Sequence, residues 1–461
     1  MAPIPSVPTD RTPPGDPDPP GPVRPRFSPS LAGGRDLRLL FAARIVRMAA
    51  YGGLSVVLVL DLTAIGLDGF RVGVVLAATL LGDALISLLL TTRADRFGRR
   101  RTLLIGAALM VLAGAVFAVS QDFWVVVVSA TIGVISPSGN EVGPFLAIEQ
   151  ASLSHIVGDE RRTTAFGWYT VAGALATACG TLAAGLVVQS LLGSGVGTID
   201  AYRAVIVAYA LAGFALAGIF FFLTPAIETP TPSHASGVSR FGLHRSQGVV
   251  LRLSMLFALD AFAGGFVIQS LVAFWFSTHW GIQPAVLGGI LFVANVLAAG
   301  SALAATWLAH RIGLIETMVY THLPSNVLLM LVPFMPTAGL AALVFFLRMS
   351  ISQMDVPTRQ SYTMAVVDPD ERSAAAGITG IARTLGVGVS PFIAAPLAAS
   401  VAYTAVPFVI AGSLKIVYDL LVFRAFRHVR PPEEQTAPGS PAPDALPPEA
   451  LEREDESGGP T

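Results

Sequence analysis

Cysteine occurs once in the 461 residues, at Cys179, and a single thiol excludes both an intrachain disulfide and a thiolate-held metal site. Lysine also occurs once, at Lys415, so arginine supplies nearly all of the positive charge. The seven histidines, His155, His234, His244, His279, His310, His322 and His428, are scattered without metal-ligand spacing. No glycine-rich phosphate loop followed by a lysine is present. These absences leave no nucleotide, metal or cofactor site and no basis for an enzyme. Charged residues make up only 13% of the chain and the net charge is -1, with no basic surface interleaved with aromatics, so nucleic acid is excluded as a partner.

What the chain has in abundance is apolar sequence: 53% hydrophobic residues and a mean hydropathy of +0.67, beyond the usual content of a soluble domain. Twelve apolar segments fall at approximately 38–62, 70–91, 102–119, 123–147, 162–189, 201–223, 249–277, 284–308, 314–335, 337–362, 373–399 and 404–427. Each is near the length a helix rising 1.5 Å per residue needs to cross about 30 Å of hydrocarbon. Cations gather at alternate connections, Arg93–Arg101, Arg161–Arg162, Arg240–Arg252, Arg311, Arg372 and Arg424–Arg430, which places those connections and both termini in the cytoplasm by the positive-inside rule. Residues 1–36 are proline-rich and read as an unfolded cytoplasmic tail with no cleavable signal before the first span, and 429–461 as a disordered acidic, proline-rich tail. The polar stretch 224–248 reads as a cytoplasmic linker between two six-span halves, 37–223 and 249–428.

Between the second and third segments lies the run Asp95-Arg96-Phe97-Gly98-Arg99-Arg100-Arg101. This Asp-Arg-x-Gly-Arg-Arg spacing resembles the loop signature of the major facilitator superfamily, whose pattern also has a glycine four residues before the aspartate; Thr91 stands there in this chain. Gly98 permits a tight turn with φ > 0, Arg96, Arg99 and Arg100 hold the loop in the cytoplasm, and Asp95 can face the positive N-terminus of a neighbouring helix. An internal repeat accompanies the motif: Ala94–Gly98 returns as Ala309–Gly313, 215 residues later, with His310 in place of the aspartate. Glu149-Gln150 and Asp159–Arg161 return similarly as Arg359-Gln360 and Asp370–Arg372. The resemblance, over roughly residues 37–428, implies an all-α membrane fold of twelve transmembrane helices in two pseudo-symmetric six-helix bundles, with a substrate site between them near the bilayer midplane.

Charges within the spans are informative because each is costly in hydrocarbon and persists only where paired, hydrated or functional. They are Arg44 and Arg47 on span 1, Asp83 on span 2, Asn140 (polar), Glu141 and Glu149 on span 4, Asp260 on span 7, Asp355 and Arg359 on span 10, and Lys415 and Asp419 on span 12. Glu141 leads as the proton-coupling residue. It sits in Pro137–Pro144, whose two prolines and two glycines should break the helix beside protein or water; the competing reading pairs Glu141 with Arg44 or Arg47. Asp355 with Arg359, and Lys415 with Asp419, lie one turn apart and read as structural pairs. Asp83 and Asp260 have no cation at helical spacing on their own spans and are secondary proton-site candidates. Glu149 reads as an interfacial charge or gate. Among the aromatics Tyr51, Trp168, Tyr169, Phe262, Phe266, Trp275 and Trp280, none is singled out as lining a cavity. The small-residue stretches Gly173–Gly185 and Gly377–Gly388 permit close helix approach.

Without a nucleotide site, energy must come from an ion gradient. The resemblance implies a monomeric, multi-pass plasma-membrane transporter of a small molecule, coupled to protons, with export preferred at family level. Uptake of a small organic anion, with Arg44, Arg47 or Arg359 as counter-charge, is the alternative; a non-transporting membrane sensor of the same fold is the third. In the export reading, protonation of Glu141 releases a cationic or polar substrate, and Asp95 steadies the outward-facing state by attraction to the start of span 11 near Ser373.

Overall fold

A computed structural model of the chain describes residues 31–141, 143–157, 159–228, 246–367 and 371–426, leaving out the side chains of residues 31–33, 95, 96, 159–164, 310 and 373. Every regular element among these is helical. In chain order they are α1 (Leu31–Ala64), α2 (Gly69–Phe97), α3 (Arg99–Val119), α4 (Phe123–Ile132), α5 (Phe145–Ile156), α6 (Asp159–Gly193), α7 (Thr198–Phe221), α8 (Gln247–Gly265), α9 (Gln269–Trp280), α10 (Pro284–Ile312), α11 (Leu314–Leu331), α12 (Ala338–Met349), α13 (Asp355–Ala365), α14 (Arg372–Val389), α15 (Pro391–Ala399) and α16 (Val406–Phe426). Short 3₁₀ turns occupy Pro225–Ile227 and Val332–Phe334.

Nine helical stretches among the described residues are long and apolar enough to cross a membrane, and two shorter apolar helices, Phe123–Ile132 and Ala338–Met349, accompany them. Each of the twelve apolar segments is occupied by helix, but 123–147, 249–277, 337–362 and 373–399 are each divided between two helices. Proline accounts for part of this, since Pro137, Pro144 and Pro391 lack an amide hydrogen for the helical ladder.

The basic run turns as tightly as Gly98 allows, with helix on both sides of it. α2 continues through Phe97 and α3 begins at Arg99, so Gly98 alone, at φ 94°, makes the corner. Gly313 repeats the device between α10 and α11 at φ 95°, which gives the sequence repeat a structural counterpart. The first amides of α3, on Arg99 and Arg100, donate to the Glu228 carboxylate at 2.7 and 3.1 Å, a negative charge at a helix N-terminus. The proposed attraction of Asp95 to Ser373 concerns side chains outside the description.

Helix α1 starts at Leu31, within the segment read as tail. Asp36 explains part of that extension: it is buried and accepts from the amide and hydroxyl of Thr224 at 3.1 and 2.5 Å, tying the first helix to the end of the sixth segment. The 224–248 stretch is likewise ordered at both ends, through Glu228 and from Ser246; the remainder of that linker and of both tails lies outside the described residues.

Helices α1–α7 pack mainly through α1 on α6 and α7, α3 on α7 and α2 on α4; α8–α16 pack through α8 on α14 and α16 and α11 on α16. The two groups meet along three seams, α6 on α10, α2 on α14 and α15, and α1 on α9. Backbones touch at these seams where glycine allows it: Gly73 against Pro391, Gly69 against Pro396, and Gly185 against Pro284 and Gly288. The glycines themselves lie in the parts of α2, α6 and α10 remote from Gly98. Within the first group, a Cβ at Gly180 would overlap the carbonyl of Ala49, and one at Gly52 that of Thr177, so α1 and α6 cross in backbone contact. Gly180→Val should therefore lower stability by roughly 1–3 kcal/mol through overpacking against immovable backbone. Gly218→Val, where nothing lies within 4 Å, should leave it unchanged; thermal unfolding of both in detergent checks the contrast.

Candidate functional site

The break between α4 and α5 organises the first half of the site. Residues 133–141, 143 and 144 carry no helix of their own, and several of the backbone groups this frees are taken up by neighbours, as hydrocarbon requires. The Gly143 amide, at a residue with φ +81°, donates to the Asp83 carboxylate of α2 at 2.6 Å. Tyr209 donates its hydroxyl to the Val134 carbonyl, and the Pro137 carbonyl accepts both the amide of Ser270, at 3.0 Å, and its hydroxyl. Ser270 belongs to α9, so the broken helix of one half is docked on that of the other.

Glu141 and Glu149 project from this segment toward α1. Arg47 donates through both terminal nitrogens to Glu149 at 2.7 and 2.6 Å and through Nε to Glu141 at 2.7 Å. Arg44 completes the cluster by pairing with the other Glu141 oxygen, and Tyr169 donates its hydroxyl to Glu149. The guanidinium of Arg47 lies 4.7 Å over Phe145 and that of Arg44 4.9 Å over Tyr169, stacking that lysine could not match. Two cations face two carboxylates, so the cluster balances. Arg47 and Glu149 are fully enclosed, whereas the Glu141 side chain retains 12% exposure and Asn140 beside it is exposed. Glu149 is thus a buried, paired charge rather than the interfacial one that its place near the segment end suggests, because α5 turns its face to α1.

A second cluster lies in the other half. Asp260 of α8 accepts from Lys415 at 2.5 Å, Arg359 at 3.1 Å and Arg383 at 3.2 Å, while Arg359 also reaches Asp355 at 2.7 Å. The pairing of Asp355 with Arg359 agrees with their one-turn spacing. That of Lys415 with Asp419 does not: Lys415 turns to Asp260, and Asp419 lies 2.8 Å from His322 Nδ1 and accepts from Asn326 at 2.9 Å. Helical spacing permits a pair on one face; here neighbouring α8 and α11 offer each partner a closer alternative.

Gln269 of α9 donates to Ser55 of α1 at 2.6 Å and accepts from Asn295 of α10 at 3.0 Å, marking where α1 crosses the other half. At 1.5 Å per residue, Arg47 lies about 12 Å and Arg44 about 16 Å along α1 from that crossing, and Asp260 precedes it in α8, beyond the irregular residues 266–268. Asp83, by contrast, joins neither cluster: it accepts from Gly143 and, at 3.4 Å, from Ser87, and no ion pair reaches it among the described residues. Of the loop residues, Arg99 is buried with Nη1 on the Ile227 carbonyl at 3.2 Å, and Arg100 reaches the Phe221 carbonyl at 2.5 Å.

Sequence reasoning missed Arg383, His322, Asn326 and Arg348. Arg383 is an ionisable residue inside segment 373–399 and was as visible as Lys415; the glycine pattern around it drew attention to packing instead. Arg348 has no acidic ion-pair partner among the described residues, its Nη1 contacting the Met349 sulfur at 3.0 Å. Tyr169 was seen only as an aromatic.

Truncating Arg47 tests the first cluster. Arg47→Met should cost about 3–5 kcal/mol, because Glu149 is left buried without its bidentate partner. Arg47→Met/Glu149→Leu should recover much of that loss, with detergent unfolding as the readout.

Known proteins share this fold. The family model described as Major Facilitator Superfamily matches residues 40–391. A yeast relative, the uncharacterized membrane protein YJR124C of Saccharomyces cerevisiae, is 28% identical over 418 residues, covering 84% of this chain and 93% of its own. Among solved structures, the nucleoside transporter NupG superposes with a TM-score of 0.64 at 13% identity, covering 85% of this chain and 99% of that one. The xylose transporter XylE from E. coli, in a partially occluded inward-open conformation, gives 0.66 at 14% identity, covering 88% and 100%. The human organic anion transporter MFSD10 gives 0.56 at 18%, covering 85% and 99%. At these identities the structures bear on the fold alone. The family match spans most of the chain, and with apolar helices arranged around two buried charge clusters, the protein is a multi-pass membrane protein belonging to the Major Facilitator Superfamily.

Proposed function

We propose that this small-molecule transporter is proton-coupled through Glu141 and carries an organic substrate bearing an anionic group. The convergence of Arg44 and Arg47 on one partly exposed carboxylate supports the reading. Arg47 keeps a second partner in Glu149, but Arg44 has no other carboxylate among its ion pairs. Protonating Glu141 therefore leaves Arg44 as an unmatched cation, and an anion bound there in turn favours the protonated acid. Proton and anion bind cooperatively by linkage, which is what cotransport in one direction requires. A cationic substrate would have to displace two guanidinium groups from Glu141.

Alternating access would move the site between sides by rocking the halves about the three seams. Positive-inside topology puts Gly98 and both termini in the cytoplasm, so the glycine-mediated contacts remote from Gly98 close the outer side. The arrangement supports an inward-facing state, and in this reading the transporter works as a monomer in the plasma membrane. Asp95 would act on the balance of states from the α2–α3 corner.

Proton-driven export of a cationic or neutral compound remains the second reading. It rests on the loop resemblance and on Asp83, a membrane-embedded carboxylate with no ion-pair partner among the described residues, where a proton and a cation would compete.

Purified protein in liposomes, with a panel of labelled organic anions and cations and an imposed pH gradient, separates the readings. One proton per anion should concentrate the anion about tenfold for each pH unit, the equivalent of 1.36 kcal/mol. Glu141→Gln should keep substrate counterflow and lose gradient-driven accumulation. Gradient-driven extrusion of cations that survives Glu141→Gln and vanishes in Asp83→Asn would replace this reading with the second; no transport of any panel member by wild type would favour a sensor.

A further inference from the structure

The outer faces of α2 and α3 enclose a groove of about 340 Å³ that belongs to neither charge cluster. Its walls are apolar, including Ile86, Leu89 and Leu90 from α2 and Ile105 and Leu109 from α3, and Arg93 closes one end. Arg93 lines the mouth on α2, and helical spacing sets Arg101 one turn above Ile105 on α3. Leu89, Arg93 and Phe97 succeed one another at i,i+4 on α2, and Arg101, Ile105 and Leu109 do so on α3. Arg93 and Arg101 are both exposed, and neither has an ion pair among the described residues. This differs from the cations deeper in the protein, most of which are matched by carboxylates.

From Arg93 the groove runs to Ile86, seven residues down α2, or about 10 Å. That depth lies within one leaflet of a bilayer whose hydrocarbon core is about 30 Å thick. The groove thus combines an apolar slot open to the membrane with unneutralised positive charge at headgroup level.

We propose that it binds an anionic phospholipid of the leaflet on the Gly98 side, an acyl chain lying along Ile86, Leu90, Ile105 and Leu109 and the phosphate held between Arg93 and Arg101. Charge complementarity selects this occupant, since a lipid bearing net negative charge meets two cations that no ion pair among the described residues neutralises, whereas a zwitterionic headgroup brings its own cation against them. Arg93 can present two parallel N–H groups to phosphate oxygens, a geometry that suits guanidinium. The bound lipid would brace the corner where Gly98 alone joins α2 to α3, and α2 is also the helix that crosses to α14 and α15 of the other half.

Native mass spectrometry of the full chain, released from micelles containing equal phosphatidylglycerol and phosphatidylcholine of matched acyl chains, tests this. Phosphatidylglycerol should be retained on the order of tenfold over phosphatidylcholine, as two arginines near the membrane surface suggest. Arg93→Gln/Arg101→Gln should remove the preference, and Ile105→Trp, which fills the slot, should reduce retention of both lipids. Equal retention by wild type, a preference that survives the double arginine variant, retention unchanged by Ile105→Trp, or competition by glycerol 1-phosphate as effective as by the intact lipid would each overturn the proposal.

Discussion

Arg47 holds two carboxylates from one interrupted segment: Glu141 from the break itself and Glu149 from the second turn of α5. That contact fixes where α5 lies against α1, and with it the course of a segment whose helix is interrupted inside the membrane. On insertion, each charge at mid-bilayer costs about 2.5–3.5 kcal/mol if left exposed to lipid, so a charged helix face can be accommodated only when a partner covers it. The pairing is therefore a constraint on assembly as much as a source of stability. Buried ion pairs are often no more stabilising than apolar residues of like size, and what they supply here is register: α1 can meet α5 only where four charged groups align.

The broken helix carries several roles through the same few residues. Asp83 steadies it through the Gly143 amide, Pro137 offers its carbonyl to Ser270 across the seam, and Glu141 is held by α1. A change in the charge of Glu141 is thus mechanically close to the contact between the halves, with only Ser138, Gly139 and Asn140 between it and Pro137. The second cluster has a different organisation. Asp260 is a hub for three cations drawn from α13, α14 and α16, which ties together helices that are distant in sequence. The halves repeat in their helix corners, at Gly98 and Gly313, while their charge chemistry has diverged.

Much of this was legible in the chain. Twelve apolar segments follow from hydropathy because length and polarity are local properties. The glycine corner followed from one motif, and its return at Gly313 from the repeat. Glu141 was marked by the prolines and glycines that surround it, since a helix interrupted in hydrocarbon must be served by protein or water. The one-turn spacing of Asp355 and Arg359 was enough to pair them.

Other features depended on which helices became neighbours. Lys415 and Asp419 share a helix face as Asp355 and Arg359 do, yet the first two separate toward Asp260 and His322 because α8 and α11 present those groups nearer. Glu149 was misplaced for the same reason: position along a segment gives depth but not the direction in which a side chain faces. The amino-acid sequence by itself determined that this chain lies in a membrane, that a glycine turns the chain at residue 98 and again at 313, and that the helix around Glu141 is interrupted. Tertiary structure alone decided the partner of each charge, because ion pairing depends on distances of a few ångströms between helices that sequence spacing does not set.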